Sequence, residues 1–333
     1  MKGLLRGFDA LVQQREDGRV LAFLRMSFGF LCAWIIIGML VHGVVDSVWL
    51  GSGAGGLTPV RRGMWLTREL PLTPTTVRLL VAVCLGSSLL FAAGLGAWFF
   101  GVVTAVSFYA LRSLNPPVTG GYDALLLNVF LFLIVSDCTR TWSLDCWLRK
   151  RRWRSDELVA AWPRHLVTFQ LVILYVATGL KKASIVWTPT GGYYALFYVY
   201  MDPTWRRMES VDFMHWAMPV LRFGTALTWH WEHFAFVLLI LGWFRFTRER
   251  DGLVHRLVNR WDLRWPWLAV GFAMHVGVWL TTNVGPFSSI TLAMYPALFG
   301  PVELEKVGVR LKEWLRRPRS ESSDVRSQSA AGS

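Results

Sequence analysis

Charge is scarce in this sequence. Asp, Glu, Lys and Arg make up 17% of its 333 residues, whereas 53% are hydrophobic and 14% aromatic. A soluble domain carries charge on about a quarter of its residues, so a soluble globular fold is excluded. Cysteine is scarce too: Cys32, Cys84, Cys138 and Cys146 stand in no CxxC or zinc-ligand spacing. That excludes a disulfide scaffold and a zinc ribbon, and the four thiols read as structural bystanders. No HExxH occurs; His230 and His233, with Glu232 between them, do not have that spacing, and no metal is expected. No internal repeat is evident, which argues against a transporter built from two similar halves. No cleavable-looking signal peptide opens the chain, because the first long apolar run starts only near Leu24.

What is present is a series of apolar runs, near 24–46, 76–94, 96–111, 122–138, 164–180, 231–247, 265–282 and 286–301. Several approach the roughly 20 residues needed to cross a bilayer. The expected fold is an all-α polytopic membrane bundle of about eight transmembrane helices. The stretch 212–228 contains His215 and Arg222 and reads as a surface or re-entrant helix. Ahead of the runs, "MKGLLRGFDALVQQ" places Leu4, Leu5, Phe8, Leu11 and Val12 on one helical face, which suits a helix lying on the membrane surface. Residues 1–22 are therefore expected to form an interfacial helix, 23–302 the membrane domain, and 303–333 a basic and then disordered tail.

The formal net charge is +13. Its basic residues gather between apolar runs, in "RTWSLDCWLRKRRWRSDELVAAWPR", "RFTRERDGLVHRLVNRWDLR", the N-terminus and "KEWLRRPR". Topology accounts for that pattern, and nucleic acid is not an expected partner. With eight spans all four regions fall on one side, which the positive-inside rule assigns to the cytoplasm. Both termini are then cytoplasmic, in a multi-pass cell-membrane protein.

This topology gathers polar residues at the extracytoplasmic leaflet. His42, Arg112 and Asn115 end spans there; Tyr122 and Asp123 begin one; Lys181 and Lys182 end another. His230, Glu232 and His233 start the next, and His275 lies in the outer half of the one after. Ionisable groups at such depth mark a site or a wet cavity. The plain alternative is lysine snorkelling towards headgroups. A working lysine must be neutral, so its usual pKa of about 10.4 has to fall through burial; it could then deprotonate a phenol-like hydroxyl. Asp123 or Glu232 nearby would hold it charged. Tyr193 and Tyr194 open an aromatic run, either interface belt or the wall for a flat apolar ligand.

The stretches "LNPPVTGGYDALLLNVFLFLIVSDCTRTWSLD", "FQLVILYVATGLKKASIVW" and "MHVGVWLTTNVGPFSSITLAMYPALFG" resemble the membrane domain of vitamin K-dependent gamma-carboxylases, the horizontally transferred transmembrane (HTTM) domain family. The similarity covers roughly residues 20–300. It implies that Lys182 is the catalytic base, acting on a reduced, vitamin K-like quinone in carboxylase-like lyase or quinol-epoxidase chemistry, on the lumenal side. In the carboxylases an Asn-His pair orients the base; here Gly121 and Tyr122 stand there, followed by Asp123, which could hold Lys182 instead. Ser184, Ile185 and Val186 replace acidic residues before Trp187.

The expected catalytic set is Lys182, Lys181, Asp123, Tyr122 and His275. Asn115, Trp187, Tyr193, Tyr194, Glu232 and His233 are expected to bind substrate. Short bacterial members of the family mature a secreted peptide toxin of the sporulation-delaying type. The resemblance therefore also implies a second role, a maturation or export factor working with a secreted peptide or a partner membrane protein. A third is a lipid or quinone binder without chemistry.

Overall fold

A computed structural model describes residues 2–56, 65–69, 73–209 and 212–316. The chain runs α1 (Lys2–Gln13), β1 (Arg15–Asp17), α2 (Arg19–Val41), α3 (Val45–Trp49), α4 (Trp65–Glu69), α5 (Pro74–Ala93), α6 (Ala97–Leu114), α7 (Gly121–Ile134) and α8 (Leu144–Lys150). It continues through β2 (Leu158–Ala160), α9 (Trp162–Lys181), α10 (Ala195–Met201), α11 (Met214–His233), α12 (Val237–Phe246), α13 (Leu253–Arg260), α14 (Arg264–Thr281), α15 (Phe287–Met294) and α16 (Pro301–Arg316). Among the described residues the fold is all-helical apart from β1 and β2, which pair antiparallel with Glu16 opposite Val159. Three helices, α2, α5 and α6, are long and apolar enough to cross a membrane; α7, α12 and the stretch Phe287–Leu298 are shorter apolar helices.

Helix α2 is the centre. Val20, Leu24, Phe28, Cys32 and Ile36 recur every fourth residue and are all buried, giving one continuous apolar stripe. It packs on α5 at short range: a Cβ on Gly29 would sit 2.7 Å from Cβ of Ala92 and 2.8 Å from the Ser88 carbonyl oxygen. Small residues let two backbones approach this closely where lipid supplies no hydrophobic drive for association. The "AGLGA" turn joins α5 to α6, with Gly94 at φ 74° and Gly96 at φ 47°, a region that favours glycine. Arg25 is fully buried in α2. Its guanidinium donates to the carbonyls of Ala92 (3.3 Å), Cys138 (2.7 Å) and Trp142 (2.5 Å), pinning three segments together.

A charged seam closes one end of the bundle. Arg164 at the start of α9 donates to both carboxylate oxygens of Glu16 and to the Ala297 carbonyl. Arg264 at the start of α14 binds Asp262, Glu303 and the Leu298 carbonyl. The arginines are buried, yet every one of these hydrogen bonds is made to a carboxylate or a carbonyl, as buried charge requires.

Several boundaries differ from those read in the sequence. The expected interfacial helix stops at Gln13 and gives way to β1, and α2 begins at Arg19. The run at 231–247 is not one helix, and 212–228 is not a separate element. Helix α11 passes through both, ending at His233, and α12 follows after a turn. In that turn Val237, Leu238 and Leu239 donate to the carbonyls three residues back, the tighter 3₁₀ pattern. The last apolar run leaves α15 at Met294 and tightens into a 3₁₀ turn over Tyr295–Leu298, where Pro296 cannot continue the α-helical ladder. Residues 303–316 of the expected tail are helical in α16; 317–333 lie outside the described residues.

Candidate functional site

Lys182 caps the C-terminus of α9, and its Nζ donates to the carboxylate of Glu232 on α11. The lysine side chain is 19% exposed and that of Glu232 8%. The ammonium also lies 5.1 Å from the ring centroid of Trp187, close enough for a cation–π contact. Gly179, one turn earlier, brings the helices together: a Cβ there would meet the His233 backbone nitrogen at 3.1 Å. Lys181 is exposed.

A second polar group is buried in the same part of the bundle. The Tyr175 hydroxyl lies 2.8 Å from Nε2 of His275 and 3.0 Å from the Tyr295 hydroxyl. Ser288 is 3.4 Å from the other ring nitrogen of His275. Trp231 stacks on Trp267, with ring centroids 3.8 Å apart, and packs edge-on against Tyr175 at 4.4 Å. Glu232 and Trp231 are adjacent in α11, so the carboxylate reaches Lys182 while the neighbouring indole covers Tyr175. Leu227, His230, Trp231, Phe234, Trp267 and Val270 contribute to an apolar groove of about 390 Å³ on the Trp231–Trp267 side of α11, which neither Lys182 nor Glu232 lines.

The remaining expected residues divide between this place and another. Tyr193, at φ 61°, places its hydroxyl 3.1 Å from Nε2 of His230. Arg222 lies over the Tyr194 ring at 5.0 Å, and Nδ1 of His233 is 2.7 Å from the Trp229 carbonyl oxygen. Asp123 does not hold Lys182. It is buried at the start of α7, paired with Arg112 and accepting from the Gly120 backbone N–H at 2.8 Å. Arg112 also lies 5.9 Å from the Tyr122 ring centroid, and Asn115 donates to the Val48 carbonyl at 2.8 Å. Asp123 and Tyr122 thus belong to an α6–α7 cluster built around Arg112, Asn115 ties the end of α6 to α3, and Glu232 takes the role expected of Asp123. Among the described residues, no group of three or more His, Cys, Asp or Glu side chains is arranged to hold a metal ion.

Tyr175 and Tyr295 are absent from the site expected on sequence grounds. Tyr175 precedes Lys182 by seven positions, two helical turns, which puts both on one face of α9; that spacing is the available signal.

The HTTM domain model matches residues 13–258, which include Lys182, Glu232 and Tyr175. The chain belongs to the HTTM domain family. With its apolar helices, this HTTM protein is a membrane protein. No curated protein and no solved structure matches it.

Proposed function

We propose that this HTTM protein crosses the cell membrane eight times with both ends cytoplasmic, and that Lys182 and Glu232 act as an acid–base pair at the extracytoplasmic boundary. The substrate is apolar and carries a phenol-like hydroxyl, as a reduced, vitamin K-like quinone does. In this reading the crossing that starts near Glu232 runs through α12, and residues 23–302 form the membrane domain between an interfacial helix and a cytoplasmic tail. The clustering of arginine in the loops 140–164 and 245–264 supports the orientation. Arg164 and Lys182, at the two ends of α9, are 18 positions apart, about 27 Å at 1.5 Å each, close to the thickness of a bilayer core.

The observation that carries the reading is the mostly buried Lys182–Glu232 pair with the Trp187 ring over its ammonium. As an ion pair it holds lysine in the charged form, and a charged lysine is no base. Moving one proton from Nζ to the carboxylate gives an amine and a carboxylic acid without changing the net charge. An apolar substrate closing over the pair removes water and favours that neutral form, because both ions lose hydration. The amine then accepts the hydroxyl proton of the substrate. The ammonium formed rests beside the new oxyanion and near the Trp187 ring. The Trp187 ring, 5.1 Å from Nζ, offers a flat apolar surface for such a substrate at the pair.

Purified protein in lipid nanodiscs, given reduced vitamin K and oxygen, tests this through epoxide measured by mass spectrometry. Epoxide from wild type, lost in Lys182→Met and Glu232→Gln variants that remain folded, is the expected result. Turnover that survives Lys182→Met would remove the lysine from the chemistry. Quinol retained by wild type without any product would favour a binder.

A second reading rests on α11. Trp216, Val220 and Phe223 are 74%, 68% and 68% exposed and share one helical face. That face suits a secreted peptide or a partner membrane protein, as a maturation or export factor requires.

A further inference from the structure

We propose that a cavity at the arginine-rich end of the bundle binds an anionic phospholipid, with one acyl chain inside and its phosphate at the arginines. The cavity encloses about 740 Å³ between α1, α9 and α12, within the range of small-molecule sites. Phe8, Val12, Phe169, Leu239 and Trp243 line its apolar part. Phe8, Val12 and Phe169 are 61%, 44% and 49% exposed, so the mouth is rimmed by apolar side chains, an opening that suits hydrocarbon better than water. Helix α1 closes against α12 at one point, where a Cβ on Gly7 would meet the Trp243 ring at 2.4 Å.

Charge selects the headgroup. Arg164, Arg245, Arg248 and Arg264 line the cavity against one carboxylate, Glu303. Arg164 and Arg264 are committed to Glu16, Asp262 and Glu303. Arg245 is shared between Asp262 and Glu303. Arg248 is exposed and makes no ion pair among the described residues. The polar end of the cavity is therefore net positive, with one arginine free to take a phosphate. Basic pockets between membrane helices bind anionic headgroups in this manner. A free phosphate would use the arginines alone and leave the apolar volume unfilled, which is why a lipid is the occupant inferred.

The test is native mass spectrometry and thermal unfolding of the purified full chain with phosphatidylglycerol, phosphatidylcholine or inorganic phosphate. Gly242 lines the cavity, and a Cβ there meets nothing within 4 Å, so Gly242→Phe fills the space without a clash at its base. Phosphatidylglycerol should be retained and raise the unfolding temperature; phosphatidylcholine and phosphate should not. Gly242→Phe should abolish retention. Arg248→Gln, at an exposed position, should weaken it about fivefold, the equivalent of roughly 1 kcal/mol for one basic residue near a lipid surface. Equal retention of the two lipids, an equal response to phosphate, or full retention by both variants would overturn the proposal. Should Gly242→Phe not fold, Arg248→Gln decides.

Discussion

Lys182 and Glu232 stand 50 positions apart in sequence and join the end of α9 to the end of α11 through one ion pair. Both side chains are mostly buried, so each is the other's main compensation for lost water. Removing one partner leaves an uncompensated charge, which costs about 3 kcal/mol or more in buried pairs. Lys182→Met and Glu232→Gln are each expected to destabilise the protein on that scale. The double variant should lose less than the sum, with a coupling of about 1–3 kcal/mol. Unfolding of the four proteins in nanodiscs measures it. Strict additivity would mean that Lys182 merely snorkels.

Glu303 provides a pH-dependent contribution at the opposite end. Burial alone would push its carboxyl up, but hydrogen bonds from Arg264 and Arg245 hold it down from 4.5 to about 2. A carboxylate depressed in the folded state adds stability above its unfolded pKa and loses it as the pH falls through the folded value. The window therefore runs from pH 4.5 down to about 2. Because the Glu303 side chain is 32% exposed, solvent screening reduces the contribution to about 1–2 kcal/mol. Glu303→Gln should lower stability at pH 7 and flatten its decline between about pH 5 and pH 2. An unchanged acid profile would show that the seam does not depend on this carboxylate.

How much of this was legible depended on how local each signal was. Helices α2, α5 and α6 follow from continuous apolar runs, and the Gly94–Gly96 turn from its glycines. The separate element expected over 212–228 rested on its His215 and Arg222, yet α11 carries both and continues to His233. Glu232 is neutralised by Lys182, so α11 runs through it. Spacing could not choose between Asp123 and Glu232 as the lysine's partner, since that choice depends on Arg112, whose sequence position marks only a helix end. The arginine-lined cavity was illegible because α1, α9 and α12 contribute its walls from distant parts of the chain.

The hydrogen bonds of Tyr175 give the remaining prediction. Its hydroxyl is the hydrogen-bond partner of Nε2 of His275, and it reaches Tyr295 as well. Tyr175→Phe preserves the ring that packs against Trp231 and Trp267 and deletes the hydroxyl alone. His275 is 1% exposed, so its ring nitrogen then stays buried without that partner, at about 1–3 kcal/mol. Tyr295→Phe breaks one link and leaves His275 bonded to Tyr175, so it should cost less, about 1 kcal/mol. Thermal unfolding of the two variants separates them. If Tyr175→Phe unfolds at the wild-type temperature, the hydroxyl does not anchor α14 to α9, and the apolar contacts around Trp231 hold these helices together without it.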